Sequence, residues 1–178
     1  MIVRFVRPEI RNPLSVFVLD ELQQIVRALP PECMNLIFTG TGNVFASGAD
    51  LREIAAVSAS GAREFALRGQ RLMTEISDLN IKTIAAINGF CFGGALDLAL
   101  SCDIRIAQPD STFSHPGVGL GIITGWGGTQ RLPRLIGEAM SLEMFLSACP
   151  VDAERALQMG LVDEIAADAV SESLANHC

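Results

Sequence analysis

The stretch TIAAINGFCFGGALDLALSCDIRIA occupies residues 83–107 and contains the pattern that decides the fold. Its first part, Thr83–Ile87, is a short run of apolar and β-branched residues, which predicts a buried strand ending at an Asn-Gly turn. Gly93-Gly94 then opens a short helix over Ala95–Leu100, and Asp103–Ala107 returns to a strand pattern. A strand, a helix and a second strand so close together predict an α/β layer fold with largely parallel strands.

The same alternation continues outward in both directions. Towards the N-terminus, Ser15 can cap an amphipathic helix that the Pro30-Pro31 pair ends. Towards the C-terminus, a glycine-rich segment leads into a run of helices. The predicted elements outside the central stretch are strands over 1–6 and 36–39, a helix from Ser15 to Leu29, a second over 61–79, and helices over 128–136, 138–147, 152–159 and 167–176.

The length of 178 residues predicts a single domain over residues 1–178, with a core over about 1–137 and an acidic helical part over 138–178. Hydrophobic residues make up 49% and charged residues 19%, which excludes a disordered chain. The mean hydropathy of +0.37 is high for a soluble monomer, so we expect a partner subunit to cover apolar surface. The longest uncharged stretch, Ser111–Gln130, contains a proline and six glycines, so no membrane span is expected.

The net charge of −7 is unevenly distributed. Residues 138–178 hold eight acidic residues and one basic residue, whereas residues 1–137 hold twelve of each sign. A nucleic-acid partner is not expected, because no basic stripe is available to neutralise a phosphate backbone. The balanced first part could still gather arginines around a small anion.

The cysteines and histidines indicate neither disulfides nor a metal site. The five cysteines are widely spaced and contain no C-x-x-C motif. With no signal peptide at the start, they predict free thiols and a cytoplasmic location. The two histidines, His115 and His177, form no ligand cluster, so no metal is expected.

Three glycine-bearing loops are the candidate places for chemistry: Phe45–Leu51, Asn88–Asp97 and His115–Arg131. Each is expected to join a strand to a helix, where glycine lets the backbone approach a ligand and the first amides of the helix are free. Two such amides aimed at one carbonyl oxygen would form an oxyanion hole. The alternative is plain turn chemistry with tight helix packing.

These loops resemble motifs of the crotonase (enoyl-CoA hydratase/isomerase) superfamily. Residues 45–51 resemble its F-x-A-G-A-D loop, and residues 86–105 resemble its segment from A-x-x-G to C-D-x-R. Residues 120–134 resemble its L-G-x-x-P-G-x-G-G-T-Q-R-L segment, with Thr124 at the proline position, and residues 156–163 resemble A-x-x-x-G-L-V. The four motifs occur in the family order, and the resemblance runs from about Arg4 to Ile165, nearly the whole chain. The resemblance implies a spiral of repeated β-β-α units and an acyl-CoA thioester substrate.

The resemblance also implies the residues that would hold this substrate. In that family two backbone N–H groups stabilise an enolate at the thioester oxygen, and they fall on Ala49 and Gly94. For the arginines among the CoA-contacting residues, the alternative is a solvated surface charge. No cofactor is implied beyond the CoA of the substrate. The implied CoA-binding residues are Arg11, Ser47, Asp50, Leu51 and Arg52.

The sequence departs from the family at the two glutamates that activate water. The first falls on Asp97, which is one methylene shorter, and the second falls on Gly117. Hydration by two glutamates is therefore doubtful, and Asp97 and His115 remain as candidate acid–base groups. The alternatives are a dipole-stabilised carboxylate for Asp97 and a loop histidine bonded to backbone for His115. Trp126 replaces a small residue and is expected to pack on the next helix.

The resemblance implies an enolate-forming acyl-CoA enzyme that assembles as a trimer or a dimer of trimers. Family members usually continue for several tens of residues beyond G-L-V, so the C-terminal helical trimerisation part is expected to be largely missing. Crotonase-type hydration, isomerisation, decarboxylation and thioester hydrolysis all remain open. The alternatives outside this class are a non-catalytic acyl-CoA-binding subunit and a serine peptidase of the Clp-type spiral fold.

Overall fold

The computed structural model describes residues 1–176 as a mixed α/β fold. Short 3-10 turns cover Pro8–Ile10 and Pro116–Leu120. The strands are β1 (Ile2–Arg4), β2 (Pro13–Leu14), β3 (Asn35–Thr39), β4 (Val44–Ala46), β5 (Gly48–Ala49), β6 (Lys82–Ile87), β7 (Phe90–Phe92), β8 (Ile104–Ala107), β9 (Thr112–Ser114), β10 (Val151–Asp152) and β11 (Glu164–Ile165). The helices are α1 (Val16–Arg27), α2 (Leu51–Ala56), α3 (Ala62–Ser77), α4 (Gly94–Ala99), α5 (Gly128–Ile136), α6 (Glu138–Ser147), α7 (Ala153–Gln158) and α8 (Ala169–Asn176).

The chain winds as a spiral in which each turn adds one strand to each of two sheets. The first strands of the three spiral turns, β3, β6 and β8, are neighbours in a five-stranded sheet of order β1-β3-β6-β8-β11. The second strands, β4, β7 and β9, are neighbours in a four-stranded sheet of order β10-β9-β7-β4. All these neighbours pair in parallel except β9 with β10. The predicted α/β class, the parallel strands and the β-β-α repeat are therefore confirmed.

The inner strands β3, β6 and β8 of the five-stranded sheet are buried along most of their length, as apolar parallel strands require. Along β6, Ile84 and Ala86 contact a small cluster that includes Ala169 of α8. The alternating residues Ala85 and Ile87 belong to the main core, which lies between the sheet and the other helices. The strand therefore has no solvent face, which accounts for its continuous apolar sequence.

Helix α1 forms where the sequence predicts it. The Ser15 hydroxyl accepts a hydrogen bond from the Val18 amide, which satisfies one free donor of the first turn. Leu19, Leu22 and Val26 are buried on the predicted face. Helices α3, α5, α6, α7 and α8 also lie within the predicted segments.

The sequence predicts none of the shortest elements, namely strands β2, β4, β5, β7, β9, β10 and β11 and helix α2. Strands β7 and β9, for example, have three residues each, which is too short to show a period. Helix α2 was also missed, although Asp50 caps it by accepting a hydrogen bond from the Arg52 amide. Strands β7 and β9 and helix α2 carry the loops that surround the cavity described below.

The described cysteines are all free thiols: Cys33, Cys91, Cys102 and Cys149. Burial raises the pKa of Cys91 well above its ordinary value and that of Cys102 to about 12, so neither is a reactive thiolate. His177 and Cys178 lie outside the described residues. Within residues 1–176, no helix has the length and apolar character needed to cross a bilayer, and no three potential metal ligands cluster.

Candidate active site

A cavity of about 360 Å³ lies where the second strands of the three spiral turns lead into their helices. Its lining is mainly apolar, with a few polar side chains, which is typical of a small-molecule site. Ser47, Asp97, His115 and Thr124 supply the polar side chains. The apolar lining includes Ala49, Leu51, Ile54, Ala62, Phe65, Ala66, Leu120, Ile123 and Trp126.

The two predicted oxyanion residues lie together on this cavity. Gly94 is the first residue of α4, so its amide has no acceptor within the helix. A Cβ atom on Gly48 would lie 2.5 Å from the Gly94 nitrogen, so the first two loops touch through backbone. Ala49 follows Gly48, and both Ala49 and Gly94 line the cavity. That their N–H groups bind an oxyanion stays a prediction.

Asp97 is a buried carboxyl group with one strong partner. Its side chain is 1% exposed, and Oδ2 accepts a hydrogen bond from the Thr124 hydroxyl. Its other oxygen, Oδ1, lies 3.7 Å from His115 Nε2. Helix α4 therefore points Asp97 into the cavity.

Burial sets the ionisation of Asp97. It raises the pKa of Asp97 to about 6, while the Thr124 hydroxyl, two nearby backbone amides and the positive charge of Arg131 lower it. The carboxylate is therefore the main form at neutral pH, with a pKa close enough to 7 to exchange a proton.

His115 faces Asp97 from the third loop. The ring is 2% exposed and lies 5.1 Å from the Phe145 ring, centroid to centroid. Burial lowers the pKa of His115 to about 4, so the imidazole is neutral near pH 7. Neither ring nitrogen has a hydrogen-bond partner among residues 1–176, so the backbone-bonded alternative is wrong.

The Gly117 position has no room for a carboxylate side chain. A Cβ atom on Gly117 would lie 2.6 Å from the Ile122 carbonyl oxygen, so the backbone would have to move. The absence of the second glutamate is therefore built into the conformation of the third loop.

Trp126 packs as predicted, but against α3 and α4 rather than against the next helix. Its ring lies over Gly69 and Gly94, where a Cβ atom on either glycine would overlap it. The indole is 3% exposed and still lines the cavity.

Comparison with known proteins agrees with this arrangement. The family model described as enoyl-CoA hydratase/isomerase matches residues 1–178. The chain belongs to this family. The peptidase alternative is therefore set aside.

Two curated relatives of this hydratase/isomerase family chain are bacterial enzymes. The crotonyl-CoA hydratase of Syntrophomonas wolfei is 41% identical over 162 residues, covering 89% of this chain and 62% of the relative. The short-chain-enoyl-CoA hydratase of Clostridium acetobutylicum is 37% identical over 167 residues, covering 92% of this chain and 64% of the relative. The chain thus spans less than two thirds of the length of these relatives.

Solved structures of the family share the fold. The enoyl-CoA hydratase from Bacillus anthracis superposes with a TM-score of 0.88 at 35% identity, covering 98% of this chain and 69% of that one. The enoyl-CoA hydratase from Thermoplasma volcanium superposes with a TM-score of 0.91 at 31% identity, covering 96% and 69% respectively.

The residues that the family resemblance assigned to CoA binding are only partly brought together. Ser47 and Leu51 line the cavity. Asp50 does not, because it caps α2 and forms an ion pair with Arg52, whose guanidinium holds the pKa of that carboxyl at about 2. Arg11 is exposed and lies over the Phe90 ring, with Cζ 5.2 Å from the ring centroid.

The sequence reasoning missed one polar contact of the site in this family member. Thr124 was noted only as a departure from a family proline, yet its hydroxyl is the hydrogen-bond donor to Asp97. A hydroxyl residue at a position where the family has proline was the available signal.

Proposed function

We propose that this chain binds an acyl-CoA thioester and transfers a proton at the carbon alpha to the thioester. Ala49 and Gly94 supply the N–H groups that stabilise the enolate oxygen. The observation that carries this proposal is the shared cavity of Ala49, Gly94 and the buried Asp97. The names of the relatives, crotonyl-CoA hydratase and short-chain-enoyl-CoA hydratase, support it.

In this proposal Asp97 is the catalytic base. Its carboxylate takes a proton from the alpha carbon, the electron pair moves to the thioester oxygen, and the proton returns to carbon from the carboxyl group. His115 is neutral near pH 7 and is a positioning residue in this proposal. Its Nε2 lies 3.7 Å from Asp97 Oδ1, so the ring limits where that carboxyl group can turn. Hydration through a second carboxylate is not supported, because Gly117 occupies that position. Isomerisation and decarboxylation pass through the same kind of enolate, whereas thioester hydrolysis passes through a tetrahedral oxyanion that the same two N–H groups would hold.

Deuterium exchange tests the proton transfer directly. Butyryl-CoA in D₂O should lose its alpha protons in the presence of the protein, as followed by NMR. Asp97→Asn should slow the exchange by about 10² or more, since a positioned base contributes that much. The matched control is Asp110→Asn, which removes an exposed carboxylate outside the cavity. Equal exchange by the wild type and Asp97→Asn would remove Asp97 from the mechanism.

A second candidate function is acyl-CoA binding without turnover. The observation that favours it is the third loop, which has no carboxylate at position 117. Calorimetric titration with a non-hydrolysable acyl-CoA thioether, beside free CoA, measures binding independently of chemistry. Saturable binding together with no exchange would favour the binding subunit, whereas binding with exchange would favour the enzyme.

The CoA contacts, assembly and location are part of the same proposal. Ser47 and Leu51 contact the pantetheine part, while Arg11 and Arg52 are exposed cations for the CoA phosphates. CoA enters as part of the substrate, with no separate cofactor, in the cytoplasm. A trimer or dimer of trimers is supported by exposed apolar residues such as Leu146 of α6. Analytical ultracentrifugation tests the assembly.

A further inference from the structure

We propose that Trp126 closes the inner end of the acyl pocket and restricts the substrates to short acyl groups. This inference rests on the proposed function, because it concerns the acyl part of the same thioester. It is carried by the position of one indole ring between two helices.

The indole occupies a slot that two glycines create. The six-membered ring covers Gly94 of α4, and the pyrrole edge covers Gly69 of α3. A Cβ atom on either residue would lie inside the van der Waals radius of the ring, so the indole fits only because both side chains are absent. The Phe65 ring lies 6.2 Å away, centroid to centroid, and steadies the indole from α3.

The course of α3 shows which end of the cavity the indole closes. Ala62, Phe65 and Ala66 line the cavity in the first part of this helix. Gly69 follows one turn later and contacts the indole ring of Trp126. Leu72, which comes after Gly69 on the same helix, is buried in the core. The ring therefore separates the cavity from the hydrophobic core.

The exposure of the lining residues shows where the cavity opens. Leu51 is 54% exposed and Ile123 is 66% exposed, whereas Trp126 is 3% exposed. A CoA ester enters past Leu51 and Ile123, so its acyl chain points towards the indole. Because the ring covers Gly94, the residue proposed to hold the thioester oxygen, the chain meets the indole soon after the thioester.

The test compares acyl-chain preference in the wild type and in two variants. Calorimetry with thioether analogues of butyryl-CoA, octanoyl-CoA and dodecanoyl-CoA gives the affinity at each length. In the wild type, affinity should not increase beyond the short chain. Trp126→Ala should bind the octanoyl analogue at least about 10-fold more tightly than the wild type does, because each newly buried methylene adds about fourfold. Trp126→Phe should give a smaller shift in the same direction, and it preserves the packing if Trp126→Ala does not fold.

Two further variants separate pocket length from general loosening of the fold. Phe113→Leu shortens a buried aromatic residue that does not line the cavity, and it should leave the chain-length profile unchanged. Gly69→Ala places a Cβ atom against the pyrrole edge of the indole and so displaces the ring, and an unchanged affinity for every analogue would contradict the inference.

The outcomes distinguish a failure of the inference about Trp126 from a failure of the proposed function. If the wild type and the folded Trp126 variants bind with the same length profile, Trp126 does not set the length limit, although the proposed function stands. If Phe113→Leu shifts the profile as much as the Trp126 variants do, the inference is wrong as well. If the folded wild type binds no acyl-CoA analogue, the proposed function fails, and the inference about Trp126 fails with it.

Discussion

We expect Asp97→Asn to stabilise the fold above neutral pH and to lose that advantage on acidification. Burial raises the pKa of Asp97 from 3.8 to about 6, so the folded state prefers the protonated carboxyl. By linkage, the stability contributed by this group is fully present below about pH 3.8 and is lost as the pH rises through about 6. Asparagine is uncharged at every pH and therefore escapes this loss.

The size of the effect follows from the two pKa values. A shift from 3.8 to about 6 corresponds to roughly 3 kcal/mol of unfolding free energy at about 1.4 kcal/mol per pKa unit. His115 acts in the opposite sense, because burial lowers its pKa from 6.5 to about 4. Its contribution is present above about pH 6.5 and is lost as the pH falls through about 4. As the pH falls from about 6.5 to about 4, the wild type therefore gains stability from Asp97 and loses stability from His115.

Urea unfolding at a series of pH values from about 4 to 8 measures this balance. Trp126 is the single tryptophan and is buried, so its fluorescence reports the transition. Asp97→Asn should exceed the wild type by up to roughly 3 kcal/mol near pH 8 and converge with it near pH 4. Asp110→Asn, at an exposed site, should show no such convergence. An Asp97→Asn variant that is less stable than the wild type near pH 8 would refute the reasoning.

Three further substitutions test separate contacts. Thr124→Val removes the hydroxyl that stabilises the Asp97 carboxylate. The pKa of Asp97, measured by NMR titration, should therefore rise further by about 1–2 units. A lower pKa would contradict the role of this contact. Gly117→Ala places a methyl group against the Ile122 carbonyl oxygen and should lower the unfolding free energy by about 1–3 kcal/mol. Equal urea midpoints for this variant and the wild type would show that the methyl group is accommodated without cost. Ser15→Ala removes the cap of α1 and should cost about 1 kcal/mol in thermal unfolding, whereas an unchanged melting temperature would mean that the cap is dispensable.

The long elements of the fold could be predicted from sequence because their periodicity is local. The spacing of Leu19, Leu22 and Val26 defines one face of α1, and the apolar run of β6 defines a strand buried on both faces. Strands β7 and β9 could not be recognised in this way. Each has three residues, and pairing with neighbours distant in sequence, rather than local pattern, makes them strands.

The site was predictable as a set of loops but not in its electrostatics. The motifs located Ala49, Gly94 and Asp97, and the structure places them on one cavity. The neutral state of His115 comes from its burial, to which residues distant in the sequence such as Phe145 contribute. No local sequence pattern predicts contacts between residues so far apart. The lack of hydrogen-bond partners for the His115 ring among residues 1–176 therefore could not be predicted.

The spiral divides the candidate site among separate pieces of chain. The first spiral turn brings Ala49, the second brings Gly94 and Asp97, and the third brings His115 with the loop that contains Gly117. An inherited change in one loop can therefore alter one chemical contribution while the other two persist. Under the proposed function, a lineage that keeps Ala49 and Gly94 retains the N–H groups proposed to bind the thioester, and it can explore new reactions by varying the third loop alone.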